Sequence, residues 1–362
     1  MGLLCCAILF RKKYECVMKE LSLIRIDRDR LLARTVEDSP KVISSILSKD
    51  PIEVHREFTP WPCTSVHLAF PSYFSPLSIS SKFESSHAIS RIAVCNDQIA
   101  TGSDDGSVRF LSLTDNVLIS DSVMVTPETC FVAGLAFHPS NPIVYVTSGS
   151  GQILMAKEGS WSSIDERVCV WSIAVHPDGG YAATGSMDQS VKLIDLNLFQ
   201  TRTCLRGHCD SVNSVAWFGH SVLSASADKT LGVFDPRTRR MSQRVAGHRA
   251  SVNAVAVQGP TTFASADSDG IVMHWDVRRL TEPVVAVAMG SCVNSIAPFA
   301  DETLALSCHD GFVRILNGSS IVETISFGNL EVLDCVAHNV RLFVSDSSGA
   351  LTLLEHAEDP VH

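Results

Sequence analysis

The rhythm of apolar and polar positions changes near residue 63. Before it, Leu3, Ala7, Phe10, Tyr14, Val17, Leu21, Ile24 and Leu31 follow an alternating four/three spacing, with Arg28 at the one polar seam position. That spacing predicts a helix over residues 1–36 that pairs with a partner helix or packs on the body behind it. Beyond residue 63 the apolar runs shorten. Val212/Val215/Trp217 and Val252/Val255/Val257 predict buried strands, and Leu223–Ser226 and Phe263–Ala266 predict small-residue strands that allow close packing. Asp228-Lys229 and Asp269-Gly270 then fall where a tight turn is needed. Third strands follow such turns at Val108–Leu111, Ile153–Ala156, Val191–Ile194, Leu231–Phe234, Val272–Trp275, Val313–Leu316 and Leu351–Leu354.

Two of these units are nearly the same sentence. GHCDSVNSVAWFGHSVLSASADKTLGVFDPR runs from Gly207 to Arg237, and GHRASVNAVAVQGPTTFASADSDGIVMHWDVR from Gly247 to Arg278. A period of about 40 residues that opens on Gly-His and closes on an aromatic-Asp pair is the signature of the WD repeat, one four-stranded propeller blade per copy. The turns at Asp105, Ser150, Asp188, Asp228, Asp269, Asp310 and Ser348 recur at that period and imply seven blades. The fold expected is therefore an all-β, seven-bladed WD-repeat β-propeller over residues 63–356, preceded by a short α-helical coiled-coil segment. Residues 37–62, with Pro40, Pro51, Pro60 and Pro62, read as a linker. The chain stops eight residues after Leu354, too soon for the last blade's outer strand, and a ring of sheets needs that edge covered. The missing strand is expected within Cys63–Ser80, around Ser65–Phe70 or Leu77–Ser80.

Composition narrows the function. The chain carries a net charge of −10, but residues 1–62 hold 11 Lys/Arg against 9 Asp/Glu, leaving 18 against 30 for the rest. An acidic propeller without a basic stripe disfavours nucleic acid as a partner. No run approaches the eighteen or so apolar residues of a membrane span, so no membrane partner is expected. The 12 cysteines lack metal spacing and read as reduced, small hydrophobes of a cytosolic protein. At the amino terminus Gly2, Cys5 and Cys6 are lipidation candidates, although position 6 is Cys where a myristoylation signal has Ser or Thr. A start in mid-heptad suggests that the protein or its relatives extend upstream.

In the second copy His248, Ser265, Asp269 and Trp275 occupy the positions of a buried hydrogen-bond tetrad, whose imidazole, hydroxyl, carboxylate and indole N–H can satisfy one another. The first copy has His208, Ser224 and Asp228 but Phe234, so its network stops at three. A Ser/His/Asp set also suggests a hydrolase triad, but it recurs at the blade period without a nucleophile elbow and reads as fold chemistry. Asp104-Asp105 reads as a turn, and His176-Pro177-Asp178-Gly179 as a hairpin loop. No catalytic, cofactor or metal site is expected. Arg237, Arg239, Arg240, Arg278 and Arg279 are the candidate protein-binding residues, a cationic group able to meet an acidic partner.

The segments FVAGLAFHP (Phe131–Pro139), LRGHCDSVNSVAW (Leu205–Trp217), SASADKTLGVFDPRT (Ser224–Thr238) and ASADSDGIVMHWDVRRL (Ala264–Leu280) carry a closer likeness. The chain resembles sperm-associated antigen sixteen, the WD-repeat protein of the ciliary and flagellar central apparatus, over Phe131 to Leu354. That family too places coiled coil before its propeller, though its amino-terminal region is longer, and blades one, two and seven match it weakly. The resemblance implies a non-enzymatic scaffold of the axonemal central pair, in the cytoskeleton of cilium or flagellum. Its partners would be other central-pair proteins and tubulin, and the helix would self-associate. The alternative is a substrate receptor of a cullin–RING ubiquitin ligase. Trp-Asp-x-Arg ending at Arg278 and Phe-Asp-x-Arg ending at Arg237 are the boxes by which many propellers engage that ligase's adaptor.

Overall fold

The computed structural model describes residues 77–356 apart from 115, 158 and 300–302. The expected coiled coil (1–36), the linker (37–62) and the stretch Ser65–Phe70 lie outside the described residues. Among the described residues every regular element is a strand.

Twenty-eight strands form seven antiparallel sheets of four. Blade one spans Ile89–Val125, blade two Val132–Asp165, blade three Val170–Arg206 and blade four Val212–Ala246. Blade five spans Val252–Ala288 and blade six Val293–Ser326, while blade seven takes three strands from Val332–His356. Its fourth strand is Leu77–Glu84, paired antiparallel with Ala350–His356. The closing strand is thus the later of the two stretches expected, and it runs past Ser80 to Glu84. Each third strand contains the run anticipated from the repeat, from Ser107–Thr114 in blade one to Ala350–His356 in blade seven.

Seven apolar cores hold the ring, one at each seam between neighbouring blades. Blades four and five meet over Leu223, Ala225, Phe263 and Trp275, and blades seven and one over Ile89, Leu111, Phe343 and Leu351. The other five seams repeat the pattern. A four-stranded sheet covered on both faces needs apolar or small residues at successive positions, as in Gln98–Ser103 and Tyr181–Ser186, which are buried almost throughout.

In all seven blades the inner strand carries a β-bulge near its start, the extra residue being Ser90, Ala133, Trp171, Asn213, Asn253, Asn294 or Leu333. A bulge re-aims the side chain of its extra residue. Asn213 Nδ2 thereby donates to Val252 O (2.9 Å), Asn253 Nδ2 to Val293 O (3.1 Å) and Asn294 Nδ2 to Val332 O (2.7 Å). Ser90 Oγ reaches Val132 O in the same way (2.7 Å). Each is a clasp from one blade to the next. At the seam between blades seven and one the buried Asp334 carboxylate accepts the Ile92 amide (2.9 Å), and between blades six and seven Leu77 N donates to Glu323 Oε1 (2.9 Å).

Antiparallel order puts the turns between second and third strands on one face with the inter-blade loops; this is the upper face. The remaining turns of every blade share the lower face. One upper-face position has positive φ in all seven blades: Gly106, Gly151, Gln189, Lys229, Gly270, Gly311 and Gly349, between +70° and +95°. A Cβ on Gly270 would sit 2.3 Å from Ser291 O, and one on Gly349 2.4 Å from His87 O, so these turns require glycine for room as well as for φ.

Candidate functional site

On the upper face of blade five the imidazole of His248 enters from the loop before the inner strand. Trp275 Nε1–H donates to Ser265 Oγ (2.9 Å), the Ser265 hydroxyl to His248 Nε2 (2.7 Å), and His248 Nδ1–H to a carboxylate at 2.8 Å. That carboxylate belongs to Asp267, not to Asp269. The expectation for Asp269 is corrected here. Asp267 ends its strand in the buried core, and its Oδ1 accepts the amides of Asp269 (3.1 Å) and Ile271 (2.8 Å), leaving Oδ2 for the histidine. Asp269 is exposed at the tip of the turn.

Blade four uses the other position. Ser226 stands where blade five has Asp267, and Asp228 folds back over the turn. Its Oδ1 accepts the Thr230 amide (3.0 Å) and hydroxyl (2.7 Å), and its Oδ2 accepts Cys209 N (2.9 Å) and His208 Nδ1 (2.9 Å). Blade five has Ile271 in place of Thr230, with no hydroxyl to hold a carboxylate there. The Ser224 hydroxyl donates to His208 Nε2 (2.7 Å), and Phe234 lies against the imidazole with centroids 6.0 Å apart, so this network has three members. Burial alone would raise the Asp228 carboxyl, but the Thr230, Cys209 and His208 hydrogen bonds outweigh it and bring its pKa down to about 2. Burial lowers His208, more than the neighbouring carboxylate raises it.

Blade three fills the same place with an ion triad that the sequence reading missed. Lys192 Nζ lies 2.6 Å from Glu166 Oε2 and 3.0 Å from Asp188 Oδ2, with the lysine side chain 9% exposed. Burial works against the ammonium, yet the hydrogen bonds to Glu166 and Asp188 outweigh it and raise its pKa. Glu166 stands at the histidine position of the repeat, four residues before Val170 as His208 stands four before Val212. Blade six ties Arg314 to Asp310 (Nη2–Oδ2 2.6 Å) at the repeat positions of Lys192 and Asp188. The constellations that imitate chemistry are therefore clasps between loop and turn, and the described residues hold no His/Cys/Asp/Glu group that could bind a metal. No described helix is long and apolar enough to cross a membrane.

The arginines lie on the lower face of blades four and five. Arg237 forks its own turn's Asp235 (Nε–Oδ1 3.1 Å, Nη2–Oδ2 3.0 Å) while 81% exposed. Arg278 forks Asp276 in the same manner, and Arg279 pairs with Glu282 (3.2 Å). Arg239 and Arg240 make no ion pair with the described residues and are exposed. The lower face thus carries all five on two adjoining blades, with two of them free of ion pairs to the described residues.

The family model described as "WD domain, G-beta repeat" matches residues 163–195, 199–235 and 240–276. These three stretches match the WD repeat. Each takes the outer strand of one blade with three strands of the next, so neighbouring blades share a repeat and the ring interlocks. Curated relatives match over part of their length. They include nuclear distribution protein nudF of Aspergillus niger, 31% identical over 37% of this chain and 32% of that protein. F-box/WD repeat-containing protein sel-10 of Caenorhabditis elegans is 27% identical over 39% of this chain and 25% of its own length. THO complex subunit 3 of Arabidopsis thaliana is 27% identical over 48% of this chain and 55% of its own. The matches therefore cover only part of these relatives. The crystal structure of the WD40 beta propeller domain of Doa1 superposes with a TM-score of 0.72 at 18% identity, over 79% of this chain and 99% of that one. That likeness speaks for the fold of the WD-repeat propeller alone.

Proposed function

We propose that this propeller is a non-catalytic protein-interaction platform that serves in the axonemal central apparatus of cilia or flagella. One observation carries the platform reading. The Ser/His/Asp sets of blades four and five are buried and mutually saturated, whereas the uncommitted charges, Arg239 and Arg240, stand exposed on one face. A rigid disc that offers cations on its turns suits an acidic segment of another protein, such as a tubulin tail. The axonemal part is supported by the likeness of Phe131–Leu354 to sperm-associated antigen sixteen. The helix expected over residues 1–36 would supply self-association or docking to another protein.

Detergent extraction of ciliated cells expressing the tagged protein tests the placement. Retention along the axoneme, with central-pair defects after removal of the protein, is the expected result. Release into the soluble pool would sink it and turn attention to the ligase-receptor alternative, for which loss of the adaptor on Arg278→Ala is diagnostic. Microtubule co-sedimentation tests the arginines separately: Arg239→Glu with Arg240→Glu should abolish it, and unchanged co-sedimentation would remove tubulin as the partner of this face.

A further inference from the structure

The sequence carries two arginine pairs followed at the same distance by a hydroxyl: Arg239-Arg240-Met241-Ser242 in blade four and Arg278-Arg279-Leu280-Thr281 in blade five. Two consecutive arginines just ahead of a serine or threonine are the charge pattern that arginine-directed protein kinases read through acidic residues of their substrate cleft. The tertiary structure separates the two.

In blade five the pair is occupied. Arg278 is forked to Asp276, Arg279 is held by Glu282, and Leu280 is buried, so the chain is pinned on both sides of Thr281. Glu282 and Pro283 follow directly, placing an anion and a rigid residue where the segment would have to extend.

In blade four the pair is uncommitted. Ser242 lies on the outer strand Arg240–Ala246, whose other edge is unpaired, and that strand contains no acidic residue. Ser242 is the extra residue of a β-bulge, since Val233 pairs with Gln243 and Phe234 with Met241. Bulged out of the ladder and exposed, it is held by a single side-chain hydrogen bond, from its Oγ to Val233 O (2.8 Å). Arg239 ends the preceding turn with φ of +58° and Arg240 opens the strand, so the pair straddles the turn and the strand edge that carries the serine.

We infer that Ser242 is a phosphorylation site for an arginine-directed serine/threonine kinase using ATP. The γ-phosphorus passes to Ser242 Oγ, and its bond to the β–γ bridging oxygen breaks. ADP departs with that electron pair, and the hydroxyl proton goes to the kinase's catalytic carboxylate. The product adds a charge of about −1.5 to −2 to a strand whose other charges are Arg240 and Arg244. Resting on the platform reading, the same event cancels most of the positive charge offered to an acidic partner and so weakens its hold.

The test uses the full-length protein, Mg-ATP and the catalytic subunit of cyclic-AMP-dependent protein kinase as the probe, with the phosphate mapped by mass spectrometry. Ser242 should take the bulk of the label on native protein, and Ser242→Ala should remove it. Arg239→Gln with Arg240→Gln, which keeps the serine, should slow labelling there by about tenfold or more, the loss of charge-assisted contacts. Thr281 should stay at background. Label on Thr281 ahead of Ser242, equal labelling of the arginine double variant, or labelling of Ser242 only after unfolding in urea would each overturn the assignment. The labelling does not depend on what binds the lower face, so its failure and the failure of the platform reading are separate results.

Discussion

At the scale of single residues, the two sister blades solve one problem with different carboxylates. Both need an acceptor for a buried imidazole, and either the last residue of the second strand, Asp267, or a turn residue two positions further on, Asp228, can supply it. Asp267→Ala should therefore cost about 2–4 kcal/mol, since it strands His248 and two amides, while Asp269→Ala should stay within about 0.5 kcal/mol. Urea unfolding of the two variants side by side measures this, and equal effects would return the tetrad to Asp269. Blade four predicts a pH dependence. His208 has a folded pKa below its unfolded value, so its contribution is complete above about pH 6.5 and is lost as the pH falls. Asp228, at about 2 when folded, adds a contribution present above about pH 4 and lost towards pH 2, worth about 2 kcal/mol. Asp228→Asn should lower stability at pH 7 and flatten the acid limb of the unfolding midpoint between about pH 4 and pH 2, the window set by the unfolded and folded values. A profile identical to that of the unmodified protein would rule the assignment out.

At the scale of the element, the upper-face turn is one conformation written with two kinds of residue. Glycine occupies it in five blades, whereas Gln189 and Lys229 hold φ of +70°. Lys229→Gly should be neutral or stabilise by up to about 1 kcal/mol, because glycine relieves a left-handed side chain. Gly270→Ala should destabilise by about 2 kcal/mol or more, since its Cβ meets the Ser291 carbonyl. Differential scanning calorimetry of both would decide, and a harmless Gly270→Ala would mean that the turn yields. The inner-strand asparagines belong to this scale too. The Val-Asn pairs at 212–213, 252–253 and 293–294 repeat at the blade period, so their importance was open to a sequence reader. Their role was not, because it depends on a bulge that turns the amide towards the next blade.

At the scale of the whole molecule, closure decides stability. Leu77–Glu84 covers the edge of a strand whose Leu351, Leu353 and Leu354 are fully buried, and it is joined to it only through the ring. A chain lacking residues up to Glu84 should lose its cooperative melting transition and associate through the open edge, as read by circular dichroism and size-exclusion chromatography. A monomer that still melts in one step would show that six complete blades suffice. The identity of the closing strand was only half legible in the sequence. Two apolar stretches before the first turn were suited to it, and the register against Ala350–His356 selects the second among the described residues.

Period, turn residues and the alternation of strands are local properties, and they alone set the blade count and the third strands. Which carboxylate meets a histidine, which arginines stay uncommitted and which hydroxyl stands at a free edge were decided by tertiary structure. Blade three shows why. Its Glu166, Lys192 and Asp188 match no motif, yet 26 residues of chain return Lys192 to Glu166 at the place where blades four and five use histidine. Contacts between residues so far apart depend on the register of two loops, and no short stretch of sequence contains that information.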